Sequence, residues 1–298
     1  GSDNNTAIGA NALYTFNVAS GNGYKTAVGK NAGFAITTGT SNTIVGAVAG
    51  DSITTGANNT AIGVSALDAN TTASSNTAVG SNSLGAATTG ALNVAVGSNA
   101  LLTVTTGTRN SAMGVGALQL NTASDNVAIG YHALDTNAGG SNNTAVGTEA
   151  MDANTSGSAN VAVGYRTLDA NTTGENNVAI GQAALGASST GDGNTAVGKN
   201  CLDANTTADN NTAVGLNALG ANTTGAANTA LGRNALLANT TASDNTAVGV
   251  NAMDTNTTGA SNVAVGQSAL NANTTADNNT AVGYHSLLVN TTGASNVA

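Results

Sequence analysis

The sequence predicts an all-β fold, a parallel β-solenoid of about 17 rungs with 17 residues per rung, and three observations predict it. A glycine closing an Asn-Thr/Val-Ala-Val/Ile-Gly pentad recurs 17 times, from Gly9 to Gly283. Successive copies lie 20 residues apart once, 17 apart five times, 16 apart once (Gly114 to Gly130), then 17 apart nine times. With 39 Gly, no Pro, no Trp and 2% aromatic residues, the 40% apolar fraction is mostly Ala, Val and Leu, a core that works only when small side chains stack in register. Helical repeats need about 30 or more residues, and fixed Gly and Asn oppose helix interiors. Seventeen residues suit two short strands and two turns.

Each position of the rung follows, with the recurrent glycine as position 5. Asn holds position 1 in 16 of 17 rungs, Lys25 being the exception. Stacking at about 4.8 Å predicts an amide ladder, each Asn bonding the next, through Asn76, Asn93, Asn143, Asn160, Asn177, Asn194, Asn211, Asn228, Asn245, Asn262 and Asn279. Position 2 is Thr or Val except at Ser111, and position 4 is always apolar (Ile8, Val79, Met113, Leu231). Alternation along a strand predicts that positions 2 and 4 face inward and Ala at position 3 faces outward. Gly at position 5 marks a corner with positive φ or without room for a Cβ.

Position 8 is small and is read as outward, with Cys201 a filler in this Ala column. Position 9 is Leu or Met in 15 of 17 rungs, Gly33 and Gly50 departing, and position 11 is mostly Ala or Thr; both are read as core. The Asn-Thr-Thr-Gly run at positions 12 to 15 forms a polar turn. Seventeen rungs at that spacing predict a rod of roughly 80 Å.

Residues 1–298 read as one solenoid domain, with irregular rungs over 1–45 and regular ones over 46–298. The extra residues after Gly9 coincide with Tyr14, Phe16 and Tyr24, a modified end that covers the first open edge. Gly1-Ser2 reads either as a cloning scar or as native sequence, since Ser-Asp-Asn recurs at Ser243-Asp244-Asn245. The sequence stops at Asn296-Val297-Ala298, the first three positions of another rung, so the repeat is expected to continue.

With 15 acidic and 6 basic residues and a net charge of -9, no Lys/Arg cluster neutralises phosphates, which excludes nucleic acid as partner. One cysteine excludes a disulfide framework or a Cys-based metal site. No apolar run spans a membrane and no signal pattern opens the chain, so direct membrane insertion is not expected of this stretch and a targeting segment is expected outside it.

His132 and His285 both occupy position 7, nine rungs and roughly 43 Å apart, and read as solvated surface residues. Asp recurs at position 10 (Asp51 and Asp68; Asp135, Asp152 and Asp169; Asp203 and Asp254). Stacked carboxylates repel, which makes Asp135, Asp152 and Asp169 candidate Ca²⁺ ligands against the simpler reading of screened surface charge; no other cofactor is implied. The threonines at position 13, Thr172, Thr206, Thr223, Thr240, Thr257 and Thr274, form a candidate surface-binding ladder for ice or glycans. The Asn-Thr-Thr triplets are also formal glycosylation sequons. No nucleophile-elbow pattern or cleft-forming carboxylate pair appears, so no catalysis is expected.

Asn126-Val127-Ala128-Ile129-Gly130 and Asn177-Val178-Ala179-Ile180-Gly181 resemble the Ser-Val-Ala-Ile-Gly core of YadA-like head repeats in trimeric autotransporter adhesins. Similar arrays occur in tail-fibre proteins ending in an endosialidase-type chaperone. The resemblance spans essentially the whole chain and implies a left-handed parallel β-roll, a homotrimer, an extracellular place on a cell or virion surface, and a host-surface, matrix-protein or glycan receptor. The family's heads use about 14 residues per repeat, and the additional length here falls in the Asn-Thr-Thr-Gly turn. Outward Ala columns at positions 3 and 8 add a physical argument for bundling, because they would leave apolar strips exposed on a lone rod. A self-assembling surface filament is the remaining alternative.

Overall fold

A computed structural model describes residues 4–16 and 23–298. The chain forms two compact units, Gly1–Thr148 and Glu149–Ala298. Each is a parallel β-solenoid, and no helix occurs among the described residues. In the first unit the strands run from β1 (Thr6–Ile8) to β9 (Thr144–Val146), and in the second from β10 (Val161–Val163) to β17 (Thr280–Val282). Within a unit each strand pairs with the next in equivalent register: Thr60, Ala61 and Ile62 lie against Thr77, Ala78 and Val79, and Thr195, Ala196 and Val197 against Thr212, Ala213 and Val214.

Each rung contributes one three-residue strand, at positions 2 to 4, where two were expected. The reason is backbone handedness. In a typical rung positions 7, 9 and 17 all have positive φ, as at Asn217 (55°), Leu219 (51°) and Asn210 (58°), and a left-handed residue cannot continue a strand. The far side of the rung still bonds to its neighbour, Thr223 N–H donating to the Thr240 carbonyl at 2.8 Å. Position 9 takes Leu, Met or Gly and never Val or Ile, since a β-branched side chain is strained in this conformation.

The position 5 glycines have φ between 128° and 144° and stack backbone to backbone: a Cβ on Gly215 would lie 2.6 Å from the Gly232 carbonyl oxygen. Both reasons for a glycine corner therefore hold.

The strand faces are opposite to expectation. From the second rung on, Ala at positions 3 and 8 points inward and is fully buried, as are Ala213 and Ala218, while positions 2 and 4 face outward. Position 9 is core as expected, with Leu219 fully buried, but position 11 is half-exposed. Interior width explains the reversal. Asn at position 1 and Asn at position 12 are both buried, and their amides converge on the carbonyl of position 15: Asn211 and Asn222 each donate from Nδ2 to Gly225 O at 2.9 Å. A rung clamped in this way holds methyl groups at positions 3 and 8 beside one leucine, and no room remains for Val or Ile on both strand positions.

The exceptions obey the same limit. Where position 3 is Ile44, position 9 is Gly in that rung (Gly50) and in the one before (Gly33), and position 12 is Ile53 or Ile36 instead of Asn. A Cβ on either glycine would come within 3.1 Å of Ile44 Cδ1. At the amino-terminal end Tyr14 and Phe34 stack at 5.2 Å, and the Lys25 ammonium sits 3.8 Å from the Phe16 ring centroid. Lys25 is buried in the position 1 column, and burial lowers its pKa. Gly1-Ser2 and residues 17–22, the remainder of the predicted modified end, lie outside the described residues.

Candidate interaction surfaces

The position 1 ladder forms, with the expected amide-to-amide contact in several rungs, as from Asn194 Nδ2 to Asn177 Oδ1 and from Asn262 Nδ2 to Asn245 Oδ1, both at 3.2 Å, and with a backbone contact beside it. Each Oδ1 accepts the backbone N–H of the next Asn: Asn93 donates to Asn76 at 2.9 Å, Asn194 to Asn177 at 2.8 Å and Asn262 to Asn245 at 2.9 Å. Within the second unit this links Asn160 through Asn279, and in the first it includes Asn76, Asn93 and Asn143. The buried Asn column at position 12 was read from sequence as turn chemistry. Its side chains form a second interior ladder, Asn239 Nδ2 donating to Asn222 Oδ1 at 2.8 Å and Asn273 to Asn256 at 2.8 Å.

The position 13 hydroxyls are not a free outward ladder. Thr172, Thr206, Thr223, Thr240, Thr257 and Thr274 are half-buried, and each donates to the position 13 carbonyl one rung on, for example Thr223 Oγ1 to Thr240 O at 3.0 Å and Thr257 Oγ1 to Thr274 O at 2.9 Å. The following threonine, at position 14, is the exposed one, as at Thr173, Thr224 and Thr258.

The position 10 carboxylates are half-buried, not fully solvated. Desolvation first, and then Asp51, raise the Asp68 pKa in the first unit. In the second, burial raises Asp169, Asp203 and Asp254; Asp203 and Asp152 add to the effect at Asp169 and Arg166 opposes it. Asp169 and Asp203 flank Gly186, whose missing Cβ would lie 3.6 and 2.9 Å from their Oδ1 atoms. Asp203 also borders a shallow depression of about 210 Å³ with Asn200, Asn217 and Leu237. Asp135 belongs to the first unit, where its Oδ2 lies 2.6 Å from His132 Nδ1, so His132 is half-buried and hydrogen-bonded where a solvated residue was expected. His285 is exposed and stacks on Tyr284 at 3.7 Å. Cys201 is the predicted filler, but on the inner face; burial pushes its thiol up to about 12.

The outer face of the strands carries an exposed apolar column. Position 4 carries Val, Ile, Met or Leu in every rung, and Met113, Leu231 and Val282 are 53, 48 and 59% exposed. Thr or Val at position 2 lies beside it, and exposed Val64, Val115, Tyr131, Tyr165 and Leu216 extend it at position 6. This apolar column was assigned to the core from sequence. No helix among the described residues is long and apolar enough to cross a membrane. No protein-family model matches the chain, and no curated protein matches it.

Proposed function

We propose that the chain is a non-catalytic structural or adhesive shaft of an extracellular fibre, on a cell or virion surface, that works as a homotrimer and attaches to a host surface, matrix protein or glycan. The outward apolar column at position 4 carries this reading. A repeated strip of Val and Ile favours burial, at roughly 25 cal/mol per Å² removed from water, and copies of the same strip supply a matching surface. Small Ala side chains were expected on that outer surface; larger aliphatic ones stand there and strengthen the case for bundling.

Multi-angle light scattering at micromolar concentration tests it. The expected mass is about three times the 28.4 kDa of one chain. Asp substitutions at Val197 and Val214, both outward, are expected to return the mass to one chain while leaving the far-ultraviolet circular dichroism unchanged. A single-chain mass for the unsubstituted protein overturns the trimer.

A further inference from the structure

We propose that the folded chain accepts N-linked sugar at Asn4, Asn58, Asn142, Asn210 and Asn278, and that its more numerous Asn-Thr-Thr sequons are closed to modification. Asn-X-Ser/Thr sequons occur here in two registers of the same rung. The first starts at position 12, as in Asn70-Thr71-Thr72, Asn171-Thr172-Thr173 and Asn222-Thr223-Thr224. Except at Asn290 in the last rung, which is half-buried, its acceptor asparagine points inward and is fully buried; in Asn70, Asn171 and Asn222 the amide nitrogen donates to the position 15 carbonyl, and the middle threonine is bonded to the next rung, as at Thr223.

The second register starts at position 17: Asn4-Asn5-Thr6, Asn58-Asn59-Thr60, Asn142-Asn143-Thr144, Asn210-Asn211-Thr212 and Asn278-Asn279-Thr280. All five leading asparagines are exposed. The leading Asn is exposed and the Thr stands at the outward position 2 of the strand, while the middle Asn turns into the interior ladder, as Asn59, Asn143, Asn211 and Asn279 do. Position 17 also has positive φ in four of these sequons (58° to 61°), at a bend immediately before the strand, which lifts the amide clear of the sheet.

The donor is a sugar activated as a nucleotide or lipid pyrophosphate. Asn Nδ2 bonds to the anomeric carbon, the carbon–oxygen bond to phosphate breaks with its electron pair leaving on phosphate, and a base on the transferase takes the amide proton.

The test is to incubate the purified folded chain with an Asn-X-Ser/Thr glucosyltransferase and its nucleotide-activated glucose, then map hexose by peptide mass spectrometry. Hexose is expected on the five position 17 asparagines and below one-tenth of that occupancy on Asn70, Asn171, Asn205 and Asn222. In the urea-unfolded, refolding-blocked chain both registers are expected to be modified. Equal occupancy of the two registers in the folded chain overturns the proposal. The sequon threonines lie at position 2, on the strand face that the trimer is proposed to cover, so the incubation is repeated on the Val197→Asp, Val214→Asp variant; asparagines that stay bare there as well overturn this proposal, whereas asparagines modified only there separate its outcome from that of the trimer reading.

Discussion

Ile44 occupies the space into which a side chain on Gly50 would point: its Cδ1 stands 3.1 Å from the position of the missing Cβ. Two rungs without the position 9 leucine thus share one larger residue at position 3. Ile44→Ala is expected to open a cavity and cost about 2–5 kcal/mol. Gly50→Leu alone should also destabilise, because it meets Ile44 and Ile53, while the triple change Ile44→Ala, Gly50→Leu, Ile53→Asn restores the ordinary rung. Urea midpoints across this set are expected to be strongly non-additive; additive losses would show that the three residues do not share one space.

Left-handed backbone at positions 7 and 9 makes side-chain branching matter more than volume. Leu219→Ile keeps the number of carbons at φ 51° and is expected to lower stability by about 1–2 kcal/mol. Val48 is a β-branched residue already in this conformation, at φ 52°, and Val48→Asn is expected to raise stability by about 1 kcal/mol. Paired denaturant melts with unchanged slopes check both directions.

The interior ladder should outweigh the threonine ladder. Asn228→Ala removes the acceptor of the Asn245 N–H and one of two donors to Ala242 O, leaving a buried donor unpaired at a cost of roughly 1–3 kcal/mol. Thr223→Val removes a half-buried hydroxyl bond whose carbonyl still accepts the Thr223 N–H, and less than about 1 kcal/mol is expected. Hydrogen exchange at the Asn245 amide, accelerated in the first variant and unchanged in the second, separates the two.

Raised pKa values at Asp68, Asp169, Asp203 and Asp254 give stability a defined pH slope. A carboxyl with a higher pKa folded than unfolded holds its proton more tightly in the folded state. Its contribution is full below the unfolded value of about 4 and is lost as pH rises through the folded one. Melting at pH 7 is therefore expected to occur at lower denaturant than at pH 4.5 by a small margin, since these groups are only partly buried and solvent screens them. Asp169→Asn should flatten that slope and raise stability at pH 7; a steeper slope would contradict desolvation as the leading cause.

Cys201, with its thiol near 12, is expected to ignore a disulfide reagent at pH 8 in the folded protein and to react completely in urea. Cys201→Ala restores the column's usual residue and should shift stability by less than about 1 kcal/mol. Fast labelling of the native chain would place the sulfur outside the core.

The sequence by itself determined the period, the β class, the register lock and the glycine corner, because each rests on one residue type recurring at one position. Asn at position 1 and Gly at position 5 have few roles compatible with a stack. It also carried an unread sign of the inner face: Ile44 enlarging position 3 where Gly33 and Gly50 empty position 9. Which face of the strand turns inward was settled only in three dimensions. The strand Thr-Ala-Val is apolar or small on both sides, so alternation supplies two faces without saying which is the core. The choice comes from the far side of the rung, where Asn222 and Asn211 reach the same Gly225 carbonyl and narrow the interior until a methyl group fits and an isopropyl group does not. That closure joins residues 11 and 14 positions apart along the chain, and it sends the alanines in and the valines out.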